Sequence, residues 1–312
     1  MKKNHLSGGL WPVMLTPFKQ NNEVDYHGLS TLTDFYLQTG ADGLFSVCLS
    51  SEMFQLTDEE RLKIIKHVIA QAAGVPVIAT GTFTSDLEQS ADFIKKVFDT
   101  GVKTVVIITN QIADAHEDDT IFKKRMEYLM KATENIPLGL YECPDPYKRL
   151  LSPELMQWLG QTGRFFYHKD TSCDIEAIRS KLAATKDTTL ALYNANTATA
   201  LSSLAGGAAG ISPIGANLYP ELYAYLKNVF AKQGSNAELV QLNAQLDMMD
   251  AIVDQSYPFS AKAFLQKRGL AIHTGCRIGF EKMKPENYLK LDALMDVFKK
   301  IASDYGISLY SA

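Results

Sequence analysis

Short apolar, β-branched runs alternate with longer amphipathic stretches over most of this chain, and that alternation limits the fold more than any other feature. The runs are WPVMLTPF (11–18), GLFSVC (43–48), VPVIAT (75–80), TVVIIT (104–109), PLGLYE (137–142), RFFYHK (164–169), TTLALYN (188–194) and AGISPI (209–214). Each has the length and character of a strand buried on both faces. Helix signals lie between them. Thr57-Asp58-Glu59-Glu60 opens a helix from Asp58 to about Ala72, with acids in its first turn. A second runs from Ser85 to Asp99, with Gly101 as its stop. A third follows Ser152-Pro153-Glu154, with Ser as cap and Pro at the first helical position. Eight such units in series imply a parallel sheet and favour closure into a (β/α)8, or TIM, barrel over an open doubly wound sheet. Beyond about residue 235 the pattern is helical only: Ala237–Val253, Ser260–Leu270 and Pro285–Ala302. The expected organisation is a barrel over residues 1–234 and a C-terminal helical extension over 235–312, packed on the barrel.

Composition removes several classes of function. The 312 residues carry a formal net charge of −4, with no basic stripe or run, so a nucleic-acid partner is not expected. No apolar stretch approaches the ~18 residues of a membrane span. The start MKKNHLSGGLWPVML is too broken by Gly and Pro for a signal peptide. Cys48, Cys143, Cys173 and Cys276 lie far apart, without a CxxC pair or zinc spacing. A structural metal is therefore not expected, and a reduced, cytoplasmic protein is.

In a barrel of this kind, chemistry sits at the C-terminal ends of the strands. The sixth run, Phe165-Phe166-Tyr167-His168, leads into Lys169-Asp170-Thr171-Ser172. Desolvation disfavours the ammonium form of a lysine closing a buried strand, and only the neutral amine attacks a carbonyl. The alternatives for Lys169 are a side chain snorkelling to solvent or one paired with Asp170. The fifth run ends in Tyr141-Glu142-Cys143-Pro144. Tyr141 is a candidate for proton transfer, or else a core aromatic. Glu142 is a possible acid or base, or a solvated loop charge. After the second run, the hydroxyls of Ser50 and Ser51 suit a carboxylate, although serines also cap turns. Gly206-Gly207-Ala208-Ala209-Gly210 lacks the basic partner of a phosphate site and serves equally as a tight turn. His116-Glu117-Asp118-Asp119 reads as an exposed helix start, because its spacing supplies no metal-ligand set.

Taken in order, these fragments resemble the dihydrodipicolinate synthase/N-acetylneuraminate lyase family of pyruvate-dependent class I aldolases. The resemblance runs from about Gly9 to the C-terminus. It rests on Leu15-Thr16-Pro17-Phe18, Ser50-Ser51-Glu52 with the following Leu56-Thr57-Asp58-Glu59-Glu60-Arg61, and Tyr141-Glu142-Cys143-Pro144. It continues through Lys169-Asp170-Thr171-Ser172 and from Gly210-Ile211-Ser212 to Asn217-Leu218-Tyr219-Pro220. The interval between Tyr141 and Lys169 is also typical of the family. The resemblance implies a (β/α)8 barrel in which Lys169 attacks the keto carbon of a small 2-oxo acid and Tyr141 relays protons. Ser50, with backbone groups of Leu49 and Ser51, would hold the α-carboxylate, helped by the segment around Ser212. The protonated imine is the electron sink, so no external cofactor and no metal is implied. The expected partner is the 2-oxo acid substrate, and the expected assembly a homo-oligomer, dimer or tetramer.

The sequence also departs from the family pattern. Leu49 stands where the first hydroxyl residue aligns, and Cys48 and Ser51 where glycines fall. Asn110-Gln111-Ile112 replaces the Pro-Tyr-Tyr of the synthase branch, and with it the tyrosine lent by a neighbouring subunit. Asp145-Pro146-Tyr147-Lys148-Arg149 puts proline where an arginine aligns, leaving Arg149 to reach back for a second carboxylate. Asn194-Ala195-Asn196-Thr197 replaces a Gly-Asp segment. The expected activity is therefore a Schiff-base lyase or aldolase that releases pyruvate from a sugar-acid-derived 2-oxo acid, and not a typical dihydrodipicolinate synthase. Two alternatives stand beside it. One is a 2-oxo acid dehydratase or hydratase using the same lysine, with Glu142 as an extra proton-transfer group. The other is a 2-oxo acid-binding protein without turnover, suggested by Leu49 and Ile112.

Overall fold

The computed structural model describes residues 6–279 and 283–311. Among them the strands are β1 (Gly9–Leu10), β2 (Leu44–Ser46), β3 (Val77–Thr80), β4 (Thr104–Ile108), β5 (Leu138–Tyr141), β6 (Phe165–Asp170), β7 (Ala191–Asn194) and β8 (Gly210–Ile211). The chain divides into two compact units. One contains Pro76–Ser212 and the residues up to Gly8; the other contains Gly9–Val75 and Pro213–Ala312.

In the first unit, β3 to β8 follow one another as parallel neighbours. Parallel neighbours need a crossover, and a helix supplies each one: Leu87–Phe98, Asp119–Ala132, Pro153–Gln161, Ile175–Thr185 and Ala200–Ala205. Every residue of β3, β4, β5 and β6 is buried, as continuous apolar runs require. The helix starts have chemical causes. Asp86 accepts from the N–H groups of Glu88 and Gln89. Ser152 accepts from Leu155 N with Pro153 in the first turn, and Asp174 accepts from Glu176 N and Ala177 N. Helix Ile175–Thr185 packs Ile178 against Leu192 and Ala208, with Ile175 and Leu182 alongside.

The second unit holds β1 and β2, and Val13, past the end of β1, makes an isolated parallel bridge to Phe45. Thr57 and Glu60 form the capping box of helix Asp58–Gln71: Glu60 N donates to Thr57 Oγ1 (3.2 Å) and Thr57 N donates to Glu60 Oε2 (2.9 Å). Its later part is helical: Pro220–Gln233, Ala237–Asp254, Phe259–Lys267 and Pro285–Asp304. Among the described residues no helix is long and apolar enough to cross a membrane.

Two strand expectations need correction. The run 11–18 is not a strand; β1 ends at Leu10, and only isolated bridges at Val13 and Phe18 follow. Pro12 and Pro17 lack the N–H that a ladder needs, so the run cannot pair continuously. The run 209–214 pairs only over Gly210–Ile211, and Pro213 follows two residues later.

Candidate active site

The register of β5, β6 and β7 sets three side chains in a row. Tyr141 pairs with Lys169, and Lys169 pairs with Tyr193. Residues in register on parallel strands share a face, while the residues next to them point the other way. Lys169 Nζ lies 4.7 Å from the centre of the Tyr141 ring. Both side chains are nearly withdrawn from water, Lys169 at 4% and Tyr141 at 3% exposure. Lys169 therefore does not snorkel to solvent. It does not use Asp170 either, because that carboxylate turns to the opposite face and binds Lys181.

Two residues before Lys169 and on its face, Tyr167 stacks on Tyr193, with ring centres 4.4 Å apart and planes at 27°. The Tyr167 hydroxyl donates to Ser212 Oγ at 3.3 Å. Ser212 N donates to Asn194 O (2.7 Å), so what Ser212 brings to this face is its buried hydroxyl. The first unit thus gathers Lys169, Tyr141 and Ser212 with two tyrosines that sequence reasoning did not single out. Tyr167 and Tyr193 lie at the period-2 positions of their strands, a signal any core aromatic would give.

Ser50 and Ser51 belong to the second unit, in a tight turn after β2. The Ser51 hydroxyl is committed there: it donates to Met14 O (2.6 Å) and accepts from Cys48 N (3.0 Å). Its N–H donates to Cys48 O. Ser51 shapes the turn, and Ser50 hydrogen-bonds the phenol of Tyr257. Asn217 Nδ2 donates to that phenol oxygen (2.7 Å) and to Val13 O (2.7 Å). Burial pushes the Tyr257 phenol well above the ordinary tyrosine range, against the opposing hydrogen bonds from Ser50 and Asn217. Tyr257 carries no motif and was not legible in the sequence.

Behind β5 and β6 lies a buried charged cluster. Lys181 Nζ is 2.6 Å from Glu142 Oε1 and 2.6 Å from Asp170 Oδ2, at 3% exposure against 0% for each carboxylate. Glu142 also accepts from Leu151 N (2.7 Å) and Thr171 N (3.2 Å), while Thr171 Oγ1 donates to Glu142 O (2.5 Å). Asp170 Oδ1 accepts from Ser172 N (2.9 Å) and Ser172 Oγ (2.6 Å). His168 Nε2 approaches Glu142 Oε1 at 3.4 Å, without the geometry of a hydrogen bond. Burial works to raise the Glu142 pKa. The His168 ring, Lys181 and the N–H of Leu151 outweigh it and hold the carboxyl at about 2. Burial works against charge on Lys181 as well, and the two carboxylates overcome it, leaving its pKa above the ordinary lysine value. Glu142 is thus neither a solvated loop charge nor a proton-transfer group: its oxygens are occupied and its carboxyl does not protonate near neutrality. Glu142, His168 and Asp170 do present ligand atoms within 4.8 Å of one another, a set that could hold a metal ion. The Lys181 ammonium takes the cation's place between the two carboxylates.

A stability prediction follows from the sign of the Glu142 shift. Its folded-state pKa is depressed below the unfolded value of about 4.3, so its stabilisation is fully present above that value. It is lost as pH falls toward about 2. Urea midpoints measured from pH ~5 to pH ~2 should fall more steeply for the native chain than for Glu142→Gln. Parallel curves would contradict the assignment.

The loop after β5 is pinned from the turn that follows β4. The amide nitrogen of Asn110 lies within hydrogen-bond distance of the carbonyls of Cys143 (3.0 Å), Asp145 (3.0 Å) and Tyr147 (2.6 Å). The Tyr147 hydroxyl reaches Asn110 O (3.1 Å) and Asp114 Oδ1 (3.0 Å). Arg149 does not reach back toward a second carboxylate. Its guanidinium donates to Asp114 O (2.7 Å) and Glu117 O (2.8 Å) and lies over the Phe122 ring. The segment 116–119 is the helix start read from sequence, with Asp118 accepting from Thr120 N and Ile121 N.

The arrangement sets a buried lysine beside a tyrosine at the C-terminal ends of parallel strands, and comparison with known proteins places the chain in a family. The family model described as the Dihydrodipicolinate synthetase family matches residues 6–297, and the chain belongs to that family. Members of the family are lyases or aldolases. The chain is similar to a 4-hydroxy-tetrahydrodipicolinate synthase of Bacillus subtilis (strain 168), 27% identical over 270 residues that cover 85% of this chain and 90% of that one. Its fold is that of the dihydrodipicolinate synthase of Acinetobacter baumannii complexed with pyruvate, with a TM-score of 0.83 at 22% identity over 94% of this chain and 99% of that one. It is likewise that of YagE, a prophage protein of E. coli K12 in complex with pyruvate, with a TM-score of 0.84 at 19% identity over 94% and 98%. This is the (β/α)8 fold expected from the alternation of runs.

Proposed function

We propose that this chain is a Schiff-base-forming lyase that cleaves a sugar-acid-derived 2-oxo acid to pyruvate and an aldehyde, and that it is not a typical dihydrodipicolinate synthase. The observation that carries the reading is the Lys169 amine, buried over the Tyr141 ring at adjacent strand ends. Pyruvate in the complexes of the A. baumannii enzyme and YagE supports the same substrate class.

The chemistry balances on these two side chains. The neutral Lys169 amine adds to the keto carbon and gives a carbinolamine. Tyr141 passes a proton to its hydroxyl, which leaves as water and yields the protonated imine. The Tyr141 phenolate left by that transfer takes the proton of the hydroxyl on the departing carbon, the substrate carbon–carbon bond breaks, its electron pair flows to the imine nitrogen, and the aldehyde departs. The resulting enamine takes a proton at carbon, and hydrolysis releases pyruvate and the free amine. The family resemblance assigns the α-carboxylate to Ser50, with backbone groups of Leu49 and Ser51 and of the segment around Ser212. The assembly we expect is a homo-oligomer, dimer or tetramer.

The departure from a typical synthase is supported by Ile112 and Arg149. The position of the lent tyrosine is taken by Ile112, a buried side chain with no hydroxyl, and the arginine nearest to a second-carboxylate role is spent on loop carbonyls. The dehydratase reading loses its particular support, since Glu142 is held by Lys181, Leu151 and Thr171. Incubation with a panel of sugar-derived 2-oxo acids tests the proposal by product analysis. Equimolar pyruvate and aldehyde are expected. Release of a dehydrated 2-oxo acid without aldehyde would replace the lyase by a dehydratase. Ligand-induced stabilisation without any product would leave a binding protein.

A further inference from the structure

We propose that Lys181 is a positioning residue for the lysine–tyrosine pair, acting as a buried clamp from the reverse face of the sheet; the inference rests on the lyase reading above. Its ammonium joins the residue after Tyr141 to the residue after Lys169, at 2.6 Å to each carboxylate. The strands meet again at the same level, where Glu142 N donates to Lys169 O at 3.3 Å. Each carboxylate spends its remaining capacity on the backbone beyond the strand ends. Glu142 takes the N–H groups of Leu151 and Thr171, and Asp170 takes that of Ser172. Past the last ladder bond, strand ends have no regular partner for these groups. The cluster therefore fixes both turns, and with them the spacing of the Tyr141 and Lys169 Cα atoms. Lys181 comes from helix Ile175–Thr185, which packs Ile178 on Leu192, on the sheet face opposite Tyr193 and Lys169. The clamp therefore never touches substrate.

A buried ion pair is weak evidence of a stabilising role, because desolvation offsets much of the attraction. A small misplacement of a catalytic pair, by contrast, can lower a rate by about 10²-fold. The clamp is thus expected to show in rate more than in binding.

The test uses the full chain and pyruvate alone, so the second product need not be known. Imine formation on Lys169 is trapped with borohydride. Loss of a methyl proton from the protonated imine to give the enamine is followed by NMR, as exchange of pyruvate methyl protons in D2O. The exchange rate is expressed per trapped site, which removes any difference in the amount of folded protein. Lys181→Met and Glu142→Gln should each lower this rate at saturating pyruvate by about 30-fold, with half-saturation moved by less than about threefold. In Glu142→Gln the amide nitrogen faces the Thr171 N–H and loosens that tie, so this variant decides the matter if Lys181→Met does not fold. Wild-type rates per site in the folded variants overturn the clamp. A native chain that traps no pyruvate on Lys169 overturns the lyase reading, and the clamp with it.

Discussion

Replacing Lys169 by methionine is expected to remove turnover by about 10⁴-fold or more and to abolish borohydride-dependent labelling by pyruvate. The side chain supplies the electrophile's only covalent partner in the proposed route, so no residual imine path remains. Methionine keeps the length and apolar stem, and Lys169 lies among Tyr141, Tyr167 and Tyr193 on a wholly buried strand. The fold should therefore persist, which a thermal melt checks beside the activity assay. Retained turnover in Lys169→Met would end the Schiff-base account, whatever the melt shows.

Tyr141→Phe is the second large effect. Losing a positioned proton donor typically costs 10²–10⁴-fold, and a fall of about 10³-fold in kcat is expected. Pyruvate should still bind, since phenylalanine keeps the ring beside the Lys169 amine, and KM should change by less than about threefold. The slow step becomes loss of water from the carbinolamine, so borohydride trapping should slow in the same proportion. Equal losses in trapping and turnover are the signature of a relay acting before the imine. A variant that traps at the native rate but turns over slowly would put the tyrosine only in the cleavage step.

Much of this site was legible in the sequence because it lies on regular structure. Lys169 and Tyr141 end two apolar runs, and parallel strands bring such ends together. The error at 11–18 has a local cause, two prolines that remove ladder donors from an otherwise strand-like run. The errors around the site are of another kind. Glu142 sits next to Tyr141 in sequence, which invited a shared role, yet its carboxylate joins the Lys181 cluster and its bonds are all structural. The segment Asn110-Gln111-Ile112 reads only as the loss of a tyrosine at Ile112, yet its Asn110 pins the following loop. Arg149 looked able to turn inward and is held by carbonyls on the segment 114–118. Each depends on long-range pairing of polar groups, which leaves no periodic trace. Lys181 did leave one. It lies at helical spacing between Ile178 and Thr185, all three buried, and a lysine on the inward stripe of a helix demands a buried carboxylate partner.

The central claim is that Lys169 carries the carbonyl substrate, and peptide mapping by mass spectrometry after incubation with pyruvate and borohydride tests it most directly. The account predicts a single reduced pyruvyl adduct on the peptide containing Lys169. An adduct confined to another lysine, or none at all in folded protein, would contradict it.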